Sequence, residues 1–399
     1  MKKYYYIYIY IYIYAVCILT IILGILYSKH NKSNMPQTID EIILQGSACK
    51  IGGEGGSSDA FVNYLTEAFR ARVPIFKKEN GTYYTTYDFE SNRISGKDTL
   101  YVSPDGNDSN SGLTNKFPKK TITSALTSSP NTIVLLEGTY IGGTHFVNDA
   151  ELSDINLIGV GNVVVDANGA KPLKVVGNFF CKNITFTNGN LGSLHTYITD
   201  TISKCTYIEC KFNNSLVDNP NVGSAQSLGG LRIQGGTHFI YRCEASHNGF
   251  DGFNYHAAPD NPTGSFTSPH IAEVECKGFF NGENNSYESD NGSTAHDGAQ
   301  VVRLNCEFGY CHGGVIADVH DKTVSYNIGC LSYSSLDLGS SKRNYQASFF
   351  CATGATFYML GCKSHGSYYD ISCWNNGKVY TDDLFKNNYS TGGTITKLK

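Results

Sequence analysis

The sequence predicts an all-β solenoid of stacked parallel coils, and three observations carry that reading. The first is a cysteine that returns in the same context: Ile208-Glu209-Cys210, Tyr241-Arg242-Cys243, Val274-Glu275-Cys276, Leu304-Asn305-Cys306, Ile328-Gly329-Cys330 and Leu360-Gly361-Cys362, at steps of 33, 33, 30, 24 and 32 residues. Small polar turns follow each one, among them Asn213-Asn214, Asn248-Gly249, Asn281-Gly282 and Gly313-Gly314. The second is a glycine that opens a short string in each coil: Gly230, Gly252, Gly292, Gly314, Gly339 and Gly366. The third is composition. Charged residues are 17% of the chain, against ~25% for an average globular protein, while 42 glycines, 28 tyrosines and 21 phenylalanines suit short strands and many turns. A repeat of 22 to 33 residues with a constant side chain at one position describes a solenoid whose neighbouring coils bury that residue in a column.

The elements follow in chain order. Residues 4–27 form one uncharged run with Lys2 and Lys3 before it and Lys29 and Lys32 after it. This is long enough to span a bilayer with some tilt, and no small-residue cleavage site follows, so an uncleaved signal anchor is expected over 1–35. The competing reading is that the Tyr-Ile alternation of residues 6–14 is the translation of a dinucleotide repeat, with Met35 the true start and the protein soluble. Residues 36–98 read as a small α+β unit. Ser57-Ser58-Asp59 caps a helix carrying Phe61, Leu65, Ala68 and Phe69 on one face, and Asn80-Gly81 joins two aromatic-rich strands in a hairpin. The solenoid is expected over 99–380, with 381–399 a C-terminal tail. Thirteen cysteines raise a disulfide network as an alternative, but regular spacing and an odd total favour buried thiols.

The solenoid's entry resembles a known family. Leu100-Tyr101-Val102-Ser103-Pro104-Asp105-Gly106-Asn107-Asp108, then Gly112, Pro118, Thr121-Ile122, Ala125-Leu126 and Leu136-Glu137-Gly138-Thr139-Tyr140, is similar to the opening of right-handed parallel β-helix proteins of the pectate-lyase-like superfamily. The resemblance implies a first strand, a turn, an amphipathic capping helix at about 119–128 and the first coil. It is specific for fold and weak for activity, because that fold hosts lyases, hydrolases, epimerases and phage adhesins.

Aligning the coils on the opening glycine places Gln234, His256, His296, Asp318, Arg343 and Asp370 in one outward polar column, with Asp297 beside His296 and His320 just past Asp318. Imidazoles and carboxylates at strand spacing supply the base, acid and charge stabiliser that cutting a sugar chain needs. We therefore expect His256, His296, Asp297 and Asp318 as catalytic residues, and Gln234, Asp251, Asn254, His320, Arg343 and Asp370 as substrate contacts. The string Asp251-Gly252-Phe253-Asn254-Tyr255-His256 loosely resembles the Gly-Phe-Asp-Pro-His region of alginate C5-epimerases. That family's aspartate is Asn254 here and its proline is Tyr255, which removes a key carboxylate.

The expected function is that of an extracytoplasmic polysaccharide lyase or epimerase acting on a uronate-containing polymer. Two alternatives stand beside it: a glycoside hydrolase using Asp297 with Asp318 or Asp321, and a non-catalytic glycan-binding adhesin. A two-histidine, one-carboxylate metal site at His256, His296 and Asp318 ranks last, no cofactor is demanded, and Ca2+ is left open. A net charge of −4 gives no reason to expect nucleic acid. An Asn/His/Asp column that stacks for purely structural reasons is the competing account of these residues.

Overall fold

The computed structural model describes residues 76–79, 82–85, 93–95, 98–200, 202–215, 229–260, 265–282, 290–335, 346–382 and 385–397. The expected anchor, the helix after Ser57 and Arg343 lie outside these residues. Among the described residues, no helix is long and apolar enough to cross a membrane. The hairpin expected at Asn80-Gly81 is present, with Phe76–Glu79 antiparallel to Thr82–Thr85.

From Thr99 onward the chain is a parallel β-helix. Successive strands return beside their predecessors and build a fourteen-stranded sheet, a ten-stranded sheet and a short third face that includes a four-stranded sheet. One coil illustrates the path. Thr237–Tyr241 lies in the large sheet, Arg242 turns the corner, Asp251–His256 lies in the ten-stranded sheet, and His270–Val274 re-enters the large sheet beside Thr237–Tyr241. The ladder runs past the expected end of the solenoid. Asn388–Thr391 pairs with Tyr369–Trp374 and Thr394–Lys397 with Lys378–Thr381, both in parallel, so the expected tail is one more coil.

The cysteine column is interior. Cys210, Cys243, Cys276, Cys306, Cys330 and Cys362 are buried free thiols. Each follows a residue in the left-handed region: Glu209 (φ 53°), Arg242 (φ 51°), Glu275 (φ 52°), Asn305 (φ 51°), Gly329 (φ 62°) and Gly361 (φ 61°). That conformation turns the chain sharply at the corner, and a small polarisable side chain then fills the narrow space inside it. The thiols also donate to carbonyls left open by the bend, as Cys306 does to Glu273 O at 3.2 Å. Above the turn, the asparagine stack is satisfied internally: Asn248 Nδ2 donates to Phe212 O and Asn281 Nδ2 to Ala245 O, each at 3.0 Å.

Phenylalanines fill the rest of the interior. Phe186, Phe212, Phe253 and Phe308 follow one another along the axis with centroids 5.6, 6.4 and 6.2 Å apart. Truncating one fully buried ring, as in Phe253→Ala, is expected to cost about 3–5 kcal/mol. The helix expected over 119–128 is a five-residue helix, Ile122–Leu126. Thr121 caps it by accepting from Ser124 N at 3.0 Å, and its Ile122 and Ala125 belong to the interior cluster.

Candidate functional site

Register decides which side chains share a face. In the ten-stranded sheet Gln234 lies opposite His256, Tyr255 opposite Ala295, and Ala295 opposite Asp318. Side chains alternate along a strand. Leu231, Ile233, Phe253, Tyr255 and Ala295 therefore point into the core, where they are buried in its cluster. Arg232, Gln234, Asn254, His256, Thr294 and His296 point out.

Asp318 falls on the inward side, which corrects its expected place in the outer column. Ser293 pairs with Ile316, with Ser293 N donating to Val315 O at 3.3 Å as a parallel ladder requires, so Gly292 aligns with Val315 and not with Gly314. The glycine alignment was one residue off, and a one-residue slip moves every side chain to the other face. The His296 column continues instead through Val319, Ala352 and Trp374. Those residues pack with Ala317 and Phe350 in a small apolar cluster on the outside, where Trp374 meets the Phe350 ring edge-on at 5.1 Å.

Inside, Asp318 belongs to a buried charged network. Arg303 Nη2 donates to Asp318 at 3.1 Å, Arg303 Nε donates to Ser293 Oγ at 2.8 Å and lies 3.5 Å from Glu273, and Ser325 donates to Asp318. Arg303, Glu273 and Asp318 are all 0% exposed. Burial raises the Asp318 carboxyl against the opposing pull of Arg303, and raises Glu273 to about 7. Burial alone would lower Arg303, but Asp318 and Glu273 outweigh it and keep the guanidinium charged. The sequence reading missed this network, although its signal is legible: Glu273, Arg303 and Asn327 each stand three residues before a ladder cysteine.

Three expected substrate contacts are structural. Asp251 accepts from Asn254 Nδ2 at 2.5 Å and from Asn291 N at 2.7 Å, and burial raises its carboxyl to about 7. Asn254 faces outward but is fully covered. Asp370 accepts from Ser364 Oγ at 2.6 Å and from Asn387 N at 3.0 Å, tying the last coil to the one before.

The structure does bring four expected residues together at the turn that closes the outer column. Asp297, in the left-handed region (φ 56°), holds two imidazoles on its two oxygens. His256 Nδ1 donates to Oδ2 at 2.9 Å and His320 Nδ1 to Oδ1 at 2.6 Å. His296 lies between them, its ring stacked on His256 at 4.2 Å and tilted to His320 at 5.4 Å, with Nε2 3.0 Å from Thr294 Oγ1.

Electrostatics separates their roles. Burial would raise the Asp297 carboxyl, but the hydrogen bonds from His256 and His320 outweigh it and hold it well below the usual carboxylate range. The hydrogen bond to Asp297 raises His320 above the ordinary histidine value. Burial, then the neighbouring imidazoles, pushes His296 well below it, so His296 is neutral and separates its neighbours without adding charge. Access separates them too. His256 Nε2 and His296 Nδ1 are buried and lack partners, whereas the His320 side chain is 50% exposed. With Nδ1 engaged, Nε2 is the His320 nitrogen left to exchange a proton. Of the three imidazoles, His320 is the one half open to solvent.

Among the described residues, no group of three or more His, Cys, Asp or Glu side chains is arranged to hold a metal ion.

One functional candidate was passed over in the sequence. Arg232, two residues before Gln234 and in register with His195 and Asn254, faces outward yet is only 7% exposed. Its Nε has no hydrogen-bond partner, no carboxylate among the described residues pairs with it, and burial pushes its guanidinium down to about 10. His195 beside it is held neutral, at about 4, by burial and then by Arg232, and shares a 3.0 Å hydrogen bond with Gln234. A nearly buried cation without a counter-charge is costly unless a ligand supplies one. Strand alternation from Gln234 was the signal that could have found it.

Comparison with known proteins adds little to this geometry. No family model and no curated protein matches the chain. Among solved structures, the chain is similar to pectate lyase Pel9A (16% identity, 68% of this chain and 80% of that one, TM-score 0.37). It is also similar to a rhamnogalacturonan lyase (13%, 75% and 85%, TM-score 0.37) and to a pectin methylesterase from carrot (11%, 75% and 84%, TM-score 0.35). Likenesses at this level carry nothing about activity.

Proposed function

We propose that this β-helix acts on a uronate-containing polysaccharide laid along the outer face of its ten-stranded sheet, with His320 as the proton-transferring residue and Asp297 as its positioning partner. The observation that carries the reading is the 2.6 Å bond between His320 Nδ1 and an ionised Asp297, on an imidazole half open to solvent. A carboxylate on Nδ1 fixes the tautomer and stabilises the imidazolium formed when Nε2 takes up a proton.

The chemistry balances as a β-elimination. His320 Nε2 removes the proton at C5 of a uronate, the C5–H electron pair becomes the C4–C5 double bond, the C4–O bond breaks, and the imidazolium returns the proton to the departing oxygen. If C5 is instead reprotonated by solvent from the face opposite His320, the product is the C5 epimer, and the imidazolium releases its proton to solvent. Arg232, three strands from the Ile316–Asp318 strand that precedes His320, lies more than about 14 Å away along the axis at ~4.8 Å per strand. It would bind the carboxylate of a distal sugar rather than the reacting one.

Asp318 faces the interior, which removes the Asp297–Asp318 carboxylate pair from the hydrolase reading. A polymeric substrate is met outside the cytoplasm, and residues 4–27 would hold the solenoid there as a membrane anchor.

The test is digestion of a panel of uronate and neutral polymers. Products with ultraviolet absorbance from a C4–C5 double bond support elimination, and inverted C5 centres in intact polymer support epimerisation. New reducing ends without that absorbance would replace this reading with a hydrolase, and binding without any change would replace it with an adhesin.

A further inference from the structure

The fourteen-stranded sheet has an apolar outer face, independent of the site above. Alternation in Thr237–Tyr241, His270–Val274 and Gln300–Leu304 sends Ile240, Ile271 and Val301 into the interior cluster. It sends Phe239, Ala272 and Val302 outward. Register extends this outward column back to Phe180 and on to Tyr326. A second outward column carries Ile208, Leu304, Ile328 and Leu360. None of these side chains belongs to the interior cluster, yet Phe239 is 2%, Val302 1%, Leu304 2% and Ile328 0% exposed. The strands of the β-helix pair edge to edge beneath these side chains and do not stack over them. A sheet shields only one side of itself, so outward apolar side chains that are 0–2% exposed need an occupant on the outer face.

We propose that the occupant is this chain's own N-terminal unit, residues 36–92. The chain enters the solenoid at this face. Asn156 heads the first outward column, opposite Phe180, and grips the backbone of Ile94 from both sides: Ile94 N donates to Oδ1 at 2.8 Å and Nδ2 donates to Ile94 O at 2.9 Å. The Arg93 guanidinium sits 6.0 Å from the Phe180 ring centroid. The segment arriving there is thus delivered to the end of the apolar columns. Its sequence carries the complementary surface, since Phe61, Leu65, Ala68 and Phe69 recur at helical spacing after the Ser57-Ser58-Asp59 cap. The face is long enough: Phe180 to Tyr358 is six strand steps, about 29 Å, and the stretch from Phe61 to Phe69 as a helix would need about 14 Å.

The test uses the full chain. A lysine-reactive cross-linker is applied to an equal mixture of 14N- and 15N-labelled protein, followed by limited proteolysis of wild type, L65D and V302D. Docking predicts links from Lys77 or Lys78 to Lys182 or Lys204 within single molecules. It also predicts about tenfold faster cleavage inside 36–92 in L65D, equivalent to about 1.4 kcal/mol of lost docking. L65D alters a residue outside the β-helix, so its solenoid should keep the wild-type melting transition even if V302D fails to fold. Mixed-isotope links would assign the face to a second copy and overturn the proposal. So would cleavage of 36–92 at equal rates in wild type and L65D.

Discussion

His320 donates its Nδ1 proton to Asp297 across 2.6 Å, from one coil to the next, and does so at the solvent-facing end of a row of three imidazoles. The same carboxylate holds the less exposed His256 on its other oxygen, so Asp297 is fixed from behind while it orients the accessible ring in front. This is the arrangement by which a positioned carboxylate makes a histidine a stronger base.

Replacing His320 removes the proton-transferring group and leaves the fold. H320Q should lower kcat on a uronate polymer by about 10² to 10⁴-fold, with KM and melting temperature close to wild type. Loss of the melting transition together with activity would mark His320 as structural instead.

Replacing Asp297 should change a titration. The His320 value is raised by its bond to Asp297, so D297N lets it fall back toward the ordinary ~6.5. If the unprotonated ring acts as base, the acid limb of the rate profile lies above pH 6.5 in wild type and moves to lower pH in D297N, with a reduced maximum. NMR titration of the His320 ring follows the shift directly, and an unchanged value in D297N would separate the two residues.

Arg232 should matter for charge and not for folding. An unpaired buried cation destabilises, so R232M should leave the melting temperature unchanged or higher while weakening binding of a polyuronate about tenfold or more. Affinity for a neutral polymer should not change. Calorimetric titration with both polymers checks this, and equal loss for both would assign Arg232 to packing.

The interior network predicts how stability depends on pH. Glu273 is raised by burial from an ordinary carboxylate value to about 7. The native state therefore keeps a proton on Glu273 that the unfolded chain releases, and the stability this group contributes is fully present below about pH 4.5 and is lost as pH rises toward 7. Asp297 acts in the opposite sense, but only at much lower pH. Asp251, also raised to about 7, acts in the same sense as Glu273, while His195, His238 and His296, all lowered by burial, act in the opposite one. The Glu273 part is therefore read as a difference: the urea midpoint of wild type minus that of E273Q should decline between pH 4.5 and 7, and a pH-independent difference would contradict it. D318A leaves Arg303 with one carboxylate fewer and should cost about 3–5 kcal/mol, with activity lost only in proportion to unfolded protein.

Much of the fold was legible because its marks are local. A cysteine after a left-handed corner residue is set by the bend itself, so Cys210 through Cys362 could be aligned by eye. The ten-stranded face was harder to read, because a glycine can sit at more than one place in a turn. Gly292 and Gly314 are not equivalent, and this single offset put Asp318 on the wrong side. His256, His296 and Asp297 escaped the error because they precede it. His320 was noticed only as a neighbour, since its contact with Asp297 depends on how the turn folds, which strand spacing does not encode. The charges of Glu273 and Arg303 were overlooked because a solenoid interior was expected to be apolar.

The most direct measurement is exchange at the reacting carbon. A uronate polymer is incubated in deuterated water with wild type or H320Q, and deuterium at C5 is quantified together with unsaturated product. The account predicts C5 exchange or elimination with wild type and its near-complete loss in H320Q, with the fold intact. Equal C5 chemistry in the two proteins, or none in wild type on any uronate polymer that it binds, would contradict it.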